Sequence, residues 1–307
     1  MIEIIATCES LQQAKQLLAA GVDTLVFGEE TFGLRLPTDF SREEQAALTA
    51  LIHQAEKTAA VAVNGIMHPE KMKLVPEYLA FLKEIGVDRI IIGDPGIVYI
   101  MKKNPELALP YVYDAETLVT SARQINFWAQ KGAVGAVLAR EVPFEEMKEM
   151  APQLQIPTEV LVYGATCIHQ SKRPLLENYY RFTKQEEDAD KKRGLFLSDP
   201  QDENTHYSIY EDSHGTHIFA TNDVCLVKET GALAQAGFTT WKLDGIFAPG
   251  ENFAAAATVF VKARNLIEAG AFTETAAVDL QAQLAVLHPK KRGLDTGFFY
   301  VDPKKIR

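Results

Sequence analysis

Short apolar runs alternate with longer amphipathic stretches along the first half of the chain, and the alternation predicts one element after another. A strand at 2–6 leads to a helix capped by Ser10, running through Ala20 and closed by Gly21. After a strand at 24–27, Ser41 with Glu44 three residues on forms the signature of a capping box, for a helix to about Thr58. Then come a strand at 60–64, a helix at 69–85 ended by Gly86, a strand at 88–92 and a short helix at 95–103. A strand at 111–113, a helix at 117–131 ended by Gly132, a strand at 134–139, a helix at 143–151 and a strand at 158–162 complete seven alternations. These strands are nearly continuous in apolar residues, as expected when both faces are buried in a parallel sheet. Later, a helix at 223–236, a strand at 239–243 and a closing helix at 252–269 supply an eighth unit. Eight units favour an α/β fold closed as a (β/α)8 TIM-like barrel over a doubly wound sheet. No GxGxxG follows any strand, which weighs against a dinucleotide fold.

Between the seventh and eighth strands the pattern breaks. Residues 163–222 are polar, aromatic-rich and irregular, with acids at 186–188 and 199–203. Tyr207 to Tyr210 and Thr216 to Ala220 read as the arms of a hairpin around Ser213, His214 and Gly215. So long a stretch inside a compact domain is usually functional. It also follows the C-terminal end of a barrel strand, where barrel enzymes keep their chemistry. Residues 1–270 therefore read as one barrel domain that includes the insertion, and 271–307 as an accessory helix at 277–287 with an extended segment at 290–301.

Composition narrows the class. The 307 residues are 47% apolar and 23% charged, which excludes a wholly disordered or collagen-like chain. No run approaches the ~18 apolar residues of a membrane helix, and the start lacks a secretory leader. Three widely spaced cysteines, Cys8, Cys167 and Cys225, argue against a disulfide framework and for the reducing cytoplasm. The net charge is −10, so nucleic-acid binding needs a local basic face or a partner that brings one. Candidate clusters are Lys172-Arg173, Lys191-Lys192-Arg193, Lys290-Lys291-Arg292 and Lys304-Lys305-Arg307, though a solvated loop or tail is the more ordinary reading of each.

Candidate chemistry gathers at the strand ends. Glu159 lies within the seventh strand, with Tyr163, Gly164 and Cys167 at its mouth. A thiol there serves as nucleophile, metal ligand or plain filler. Lys242 ends the eighth strand, where a desolvated lysine forms a Schiff base, clamps an anion or pairs with an acid such as Glu159 or Asp223. Arg140-Glu141 after the sixth strand, and Arg35 after the second, suit a substrate carboxylate or a brace. Asn64 and Asp94 face the mouth as well. His206, His214 and His217 share the insertion but show no zinc-site signature, so no metal site is expected. HExxH and GxSxG are absent. Tyr163, Tyr179, Tyr180, Phe182 and Tyr207 fit base stacking beside the basic clusters, or simple loop packing.

An ordered set of segments resembles the collagenase-like peptidase U thirty-two family. It comprises Arg140-Glu141, Glu159 through Cys167, Ser171-Lys172-Arg173, Asn178-Tyr179, Arg193-Gly194, Asn222 through Cys225, Ala236 through Gly245 and Arg292 through Gly297. The resemblance implies a barrel-like domain. It also implies that the peptidase name misleads, because several members support oxygen-independent hydroxylation, of a wobble uridine in transfer RNA with prephenate as hydroxyl source, or of a quinone precursor. Those members hold a four-iron cluster on four cysteines, and some act as pairs of related subunits. Here Tyr163-Gly164 replaces the family's His-Gly, Ser171-Lys172-Arg173-Pro174 its Ser-Gly-Arg-Cys, and Phe196 and Pro200 its Cys-x-x-x-Cys. Lys242-Leu243-Asp244-Gly245-Ile246 has also lost an arginine. Of the four ligands Cys167 alone remains, so no cofactor is expected in this chain.

The resemblance thus predicts an accessory or co-catalytic subunit in hydroxylating wobble uridine to 5-hydroxyuridine. Its partner would be a longer, cysteine-complete relative, or a second copy in a homodimer, with transfer RNA reached through that partner and no membrane involved. Expected binding residues, for a small anion such as prephenate, are Arg35, Asn64, Arg140, Glu141, Tyr163, Arg173, Arg193 and Lys242. Catalytic candidates are Cys167, Lys242 and Glu159. The alternatives are a collagenase-like endopeptidase and a barrel lyase or aldolase using Lys242.

Overall fold

In the computed structural model, which describes residues 1–114 and 120–305, the chain starts as a run of strand–helix units. They are β1 (Glu3–Thr7), α1 (Leu11–Ala20), β2 (Thr24–Phe27), α2 (Arg42–Gln54), β3 (Thr58–Val63), α3 (Pro69–Met72), α4 (Val75–Glu84) and β4 (Arg89–Ile92). Next come α5 (Pro95–Lys103), β5 (Tyr111–Asp114), α6 (Ala122–Gln130), β6 (Ala133–Val137), α7 (Phe144–Met150) and β7 (Thr158–Ser171). The insertion follows as α8 (Leu175–Thr183), β8 (Phe196–Asp199), β9 (Asp202–Asp212) and β10 (Gly215–Cys225). Finally α9 (Thr230–Ala236) leads to β11 (Thr240–Leu243), α10 (Glu251–Glu268), α11 (Glu274–Leu287) and the short β12 (Gly293–Asp295). Strands β1 to β7 pair in sequence order, and β11 closes the ring by pairing parallel with both β1 and β7. The eight-stranded parallel barrel expected from the alternation is the architecture observed.

Alternation places the two cores. Ile5, Val26, Ala60, Ala62, Ile91, Val112 and Val137 point inward and fill the barrel. Their neighbours Ile4, Leu25, Val61 and Ile90 point outward and meet the helices. Trp241 is fully buried in that outer layer, and its indole N–H donates to the Phe238 carbonyl at 2.9 Å. The helix signals work as read. Ser10 accepts from the Gln13 N–H, Gly21 closes α1 at φ 97°, and both halves of the Ser41–Glu44 capping box are present.

Several elements differ from the pattern. The helix expected at 69–85 breaks into α3 and α4, because Pro76 has no N–H to give and its ring crowds the carbonyl four residues back. The helix expected to reach Thr58 stops at Gln54, since Thr58 already pairs with Thr24. Of the helix expected at 117–131, residues 117–119 lie outside the described residues, and α6 starts at Ala122 behind its cap Ser121. The stretch at 223–229 is not helical, because Asp223 to Cys225 finish β10 against Ala165 to Tyr163. The stretch at 290–301 contains only the three-residue β12.

The largest departure is the insertion, which is ordered. Strand β7 is 14 residues long and continues past the barrel wall. Its outer half pairs antiparallel with β10, which pairs with β9, and β8 forms the free edge. The tail locks this sheet down. Buried Arg292 donates through Nε to Asp223 Oδ1 at 2.8 Å and through Nη2 to the Ala220 carbonyl at 2.7 Å, with its guanidinium over the Phe247 ring at 4.8 Å. No helix among the described residues is long and apolar enough to cross a membrane.

Candidate functional site at the barrel mouth

The C-terminal ends of the strands open into a cavity of about 210 Å³. Arg35 comes from the loop after β2, Asn64 from the end of β3, Asp114 from the end of β5, Arg140 and Glu141 from the turn after β6, and Cys167 from the extended β7. Asn64 organises the wall. Its side-chain N–H donates to Asp114 Oδ2 at 2.7 Å, and its oxygen accepts from the Leu34 N–H at 2.8 Å. The amide thus ties the loop after β2 to the end of β5. Gly93 is required beside it, because a Cβ there would lie 2.6 Å from the Asn64 carbonyl oxygen. Arg35 sits in the left-handed region at φ 52° and donates through Nη1 to Gln170 Oε1 at 2.8 Å. Arg140 donates through Nη1 to the Ala165 carbonyl at 2.7 Å. Two guanidiniums are thereby held at one mouth from opposite sides of the ring.

Inside the barrel, Lys242 Nζ stands 3.7 Å from Glu159 Oε1, and that oxygen has no hydrogen-bond partner. Burial pushes the Glu159 carboxyl above its usual range, and Lys242 pulls it back. Glu159 also borders a small cavity with Arg89 and Glu3, which are paired to each other at the opposite end of the barrel.

Of the residues singled out from sequence, Arg35, Asn64, Arg140, Glu141 and Cys167 share the mouth cavity. Lys242 and Glu159 pair inside the barrel. Tyr163 is elsewhere, buried against Phe253 and Phe260, with its hydroxyl 2.8 Å from His288 Nδ1. His288 Nε2 in turn lies 3.7 Å from Asp223, whose other oxygen is held by Arg292. Arg173 and Arg193 are exposed on the insertion, Arg193 paired with Glu187. Asp94 caps α5 and also accepts from the Met67 N–H. Asp114 and Gln170 are mouth residues that the sequence reading passed over. The signal for Asp114 was its place at the end of the strand Tyr111–Asp114, two residues beyond inward Val112.

The histidines of the insertion are engaged locally. His214 Nε2 lies 2.6 Å from the Glu30 carbonyl, His217 Nε2 lies 2.9 Å from Asp212 Oδ1, and His206 stacks on Phe196. Among the described residues no three His, Cys, Asp or Glu side chains are grouped to hold a metal. Burial pushes the Cys8 thiol up to about 12 and the Cys225 thiol up to about 11. Cys167 donates to the His169 carbonyl at 3.3 Å, not to a ring nitrogen or carboxylate. Three thiols so placed do not fit a cluster that takes four thiolates.

A second cavity of about 340 Å³ separates the loop after β2 from the insertion. Lys191 crosses it and donates to the carbonyls of Leu36, at 2.7 Å, and Pro37. Burial holds this ammonium below the ordinary lysine value.

Comparison with known proteins places the chain. Residues 9–307 match the family described as Peptidase family U32. The chain is 35% identical over 303 residues to "tRNA hydroxylation protein P2" of Bacillus subtilis (strain 168), covering 97% of each chain. It is 25% identical over 258 residues to "tRNA hydroxylation protein P1" of the same organism, covering 79% of this chain and 58% of that one. A solved U32 peptidase superposes with a TM-score of 0.52 at 14% identity, covering 81% of this chain and 94% of the other, and supports the fold.

Proposed function

The chain belongs to peptidase family U32, and from that membership we propose that it takes part in forming 5-hydroxyuridine in transfer RNA, as an accessory or co-catalytic subunit. The observation that carries this reading is its end-to-end likeness to tRNA hydroxylation protein P2. The longer P1 of the same organism is matched over only 58% of its length, so a short and a long relative occur together there, as pairing with a longer relative would require. With three cysteines in all, this chain brings no four-thiolate cluster, and a cluster in such a system belongs to the partner.

The role we assign to this chain is to bind a small dianion such as prephenate. Arg35 and Arg140 converge on a cavity of about 210 Å³, a size for one small molecule. Paired guanidiniums hold carboxylates in defined orientation through charge-assisted hydrogen bonds. Asn64 fixes the Asp114 carboxylate in the same wall, opposite in sign to the arginines. An anion held between the two arginines therefore turns away from Asp114 and keeps one orientation. The endopeptidase alternative finds no base at the Cys167 thiol, which among the described residues donates to the His169 carbonyl. The lyase alternative needs a lysine free to attack a carbonyl, and Lys242 stands against Glu159.

The test is mass-spectrometric analysis of transfer RNA nucleosides from cells lacking the chain and complemented with variants. Loss of 5-hydroxyuridine on deletion is expected. Arg140→Met should lower it by about tenfold or more, the loss of one charge-assisted contact. Unchanged 5-hydroxyuridine in the deletion strain removes this reading.

A further inference from the structure

Helix α8 carries two apolar stripes side by side. Leu176, Tyr180 and Thr183 recur at helical spacing and are half-buried, where the helix packs on β10. Leu175, Tyr179 and Phe182 recur at the same spacing one position earlier and face water, at 40%, 57% and 87% exposure. The helix is held firmly for so exposed an element. The Glu211 carboxylate accepts from the backbone N–H of Leu176 at 2.6 Å and of Glu177 at 3.1 Å.

The segment that leads into and forms the helix is basic, although Glu211 sits at its N-terminus and the acids Glu186, Glu187, Asp188 and Asp190 follow it. Between residues 163 and 184 four Lys or Arg stand against one acid, while the whole chain carries −10. That acid, Glu177, is already paired with Arg181. Lys172 donates to the Ser213 carbonyl at 2.7 Å and Lys71 to the Ser213 hydroxyl at 3.0 Å, so two ammonium groups converge on one hairpin turn. The position matters too. Gln170 lines the mouth cavity, and α8 starts five residues later on the same chain.

We propose that the outer face of α8, with Lys172 and Arg173, is a docking surface for single-stranded RNA that lays an unpaired loop over the barrel mouth. Exposed rings stack unpaired bases while nearby cations neutralise the backbone, and a duplex offers no free base face to such rings. Lys172 and Arg173 precede the exposed rings and Lys184 follows them, so cations flank the stacking face at both ends. The inference rests on the tRNA reading above and adds which part of the RNA is held.

The experiment titrates the full chain, alone and with its co-purified relatives, against a labelled anticodon stem-loop and a fully paired duplex. Stem-loop binding is expected to exceed duplex binding. The double variant Tyr179→Ala with Phe182→Ala should weaken it about tenfold or more, and tryptophan at both positions should retain it. Lys172→Gln should reduce the slope of log affinity against log salt by about one. An unchanged urea midpoint shows that the variants fold. Absence of binding by the wild-type chain in either form overturns the proposal, as does equal affinity for duplex or an unaffected alanine variant. Loss of a co-purified protein with RNA affinity intact also overturns it and makes the face a protein interface. Nucleoside analysis separates the two readings. If deletion leaves 5-hydroxyuridine unchanged while the alanine variant loses RNA, the hydroxylation reading falls and the docking surface stands.

Discussion

Tyr163, His288, Asp223 and Arg292 form a buried chain in which each group leans on the next. Burial is the main cause that holds His288 below the ordinary histidine range, opposed by Asp223 and assisted by Arg292. Burial does the same to His214. A histidine depressed in the folded state binds fewer protons there than in the unfolded chain, so its contribution is whole above pH ~6.5 and is lost below. Glu159 acts in the opposite sense, because its raised carboxyl gains stability as the pH falls towards the ordinary glutamate range. The urea midpoint should therefore hold near neutrality and fall on acidification below about 6.5. His288→Gln should make that fall shallower, and an identical slope in the variant would exclude His288 as a source. Sequence reading placed Tyr163 at the barrel mouth as a binding or stacking residue and did not reach His288 at all. A hydrogen bond across 125 positions leaves no periodic trace.

At the scale of elements, caps and breaks were readable because they depend on neighbours in sequence. Ser10, Gly21 and the Ser41–Glu44 box act within a few residues, and Pro76 disrupts its own turn. The length of β7 was not readable. Its outer half runs Thr166-Cys167-Ile168-His169-Gln170, and it is a strand because β10 supplies the hydrogen bonds. Close approach makes that pairing possible. Gly215, at φ 108°, opens β10, and a Cβ there would sit 2.1 Å from the Ser171 carbonyl oxygen. Gly215→Ala should cost about 1–3 kcal/mol from backbone conformation alone, with the clash in addition. Gly194→Ala is the control, since its φ of 62° is also positive but no atom lies within 4 Å. Denaturant midpoints that move equally in the two variants would show that the clash contributes nothing.

Taken whole, the molecule is a closed barrel with a second sheet grown from one of its strands. Several ties hold that sheet over the mouth, among them Lys191 on the Leu36 and Pro37 carbonyls, Glu30 on the Ser213 N–H at 2.9 Å, His214 on the Glu30 carbonyl at 2.6 Å, Lys71 on the Ser213 hydroxyl and Arg35 on Gln170. Among these ties Lys191 brings an ammonium whose pKa burial holds below the ordinary lysine value. Lys191→Met should loosen the insertion and leave the barrel intact. Hydrogen exchange across β8 and β9 should rise about tenfold, the scale of one lost charge-assisted bond, with barrel amides unchanged. Uniform protection in the variant would show that the remaining ties suffice.

The sequence by itself determined the eight strand–helix units, most helix ends, the place of the insertion and the family. Periodicity and capping are local, and both survive in a one-dimensional pattern. Only the tertiary structure decided which polar residues meet. Arg35, Asn64, Asp114, Arg140 and Cys167 share a cavity because ring closure brings strand ends together. Tyr163 lies on the same strand as Cys167, yet its ring turns into the helix layer. Alternation says which side chains point inward or outward. It does not say what stands across the barrel, since that depends on how far each strand runs and where the sheet closes.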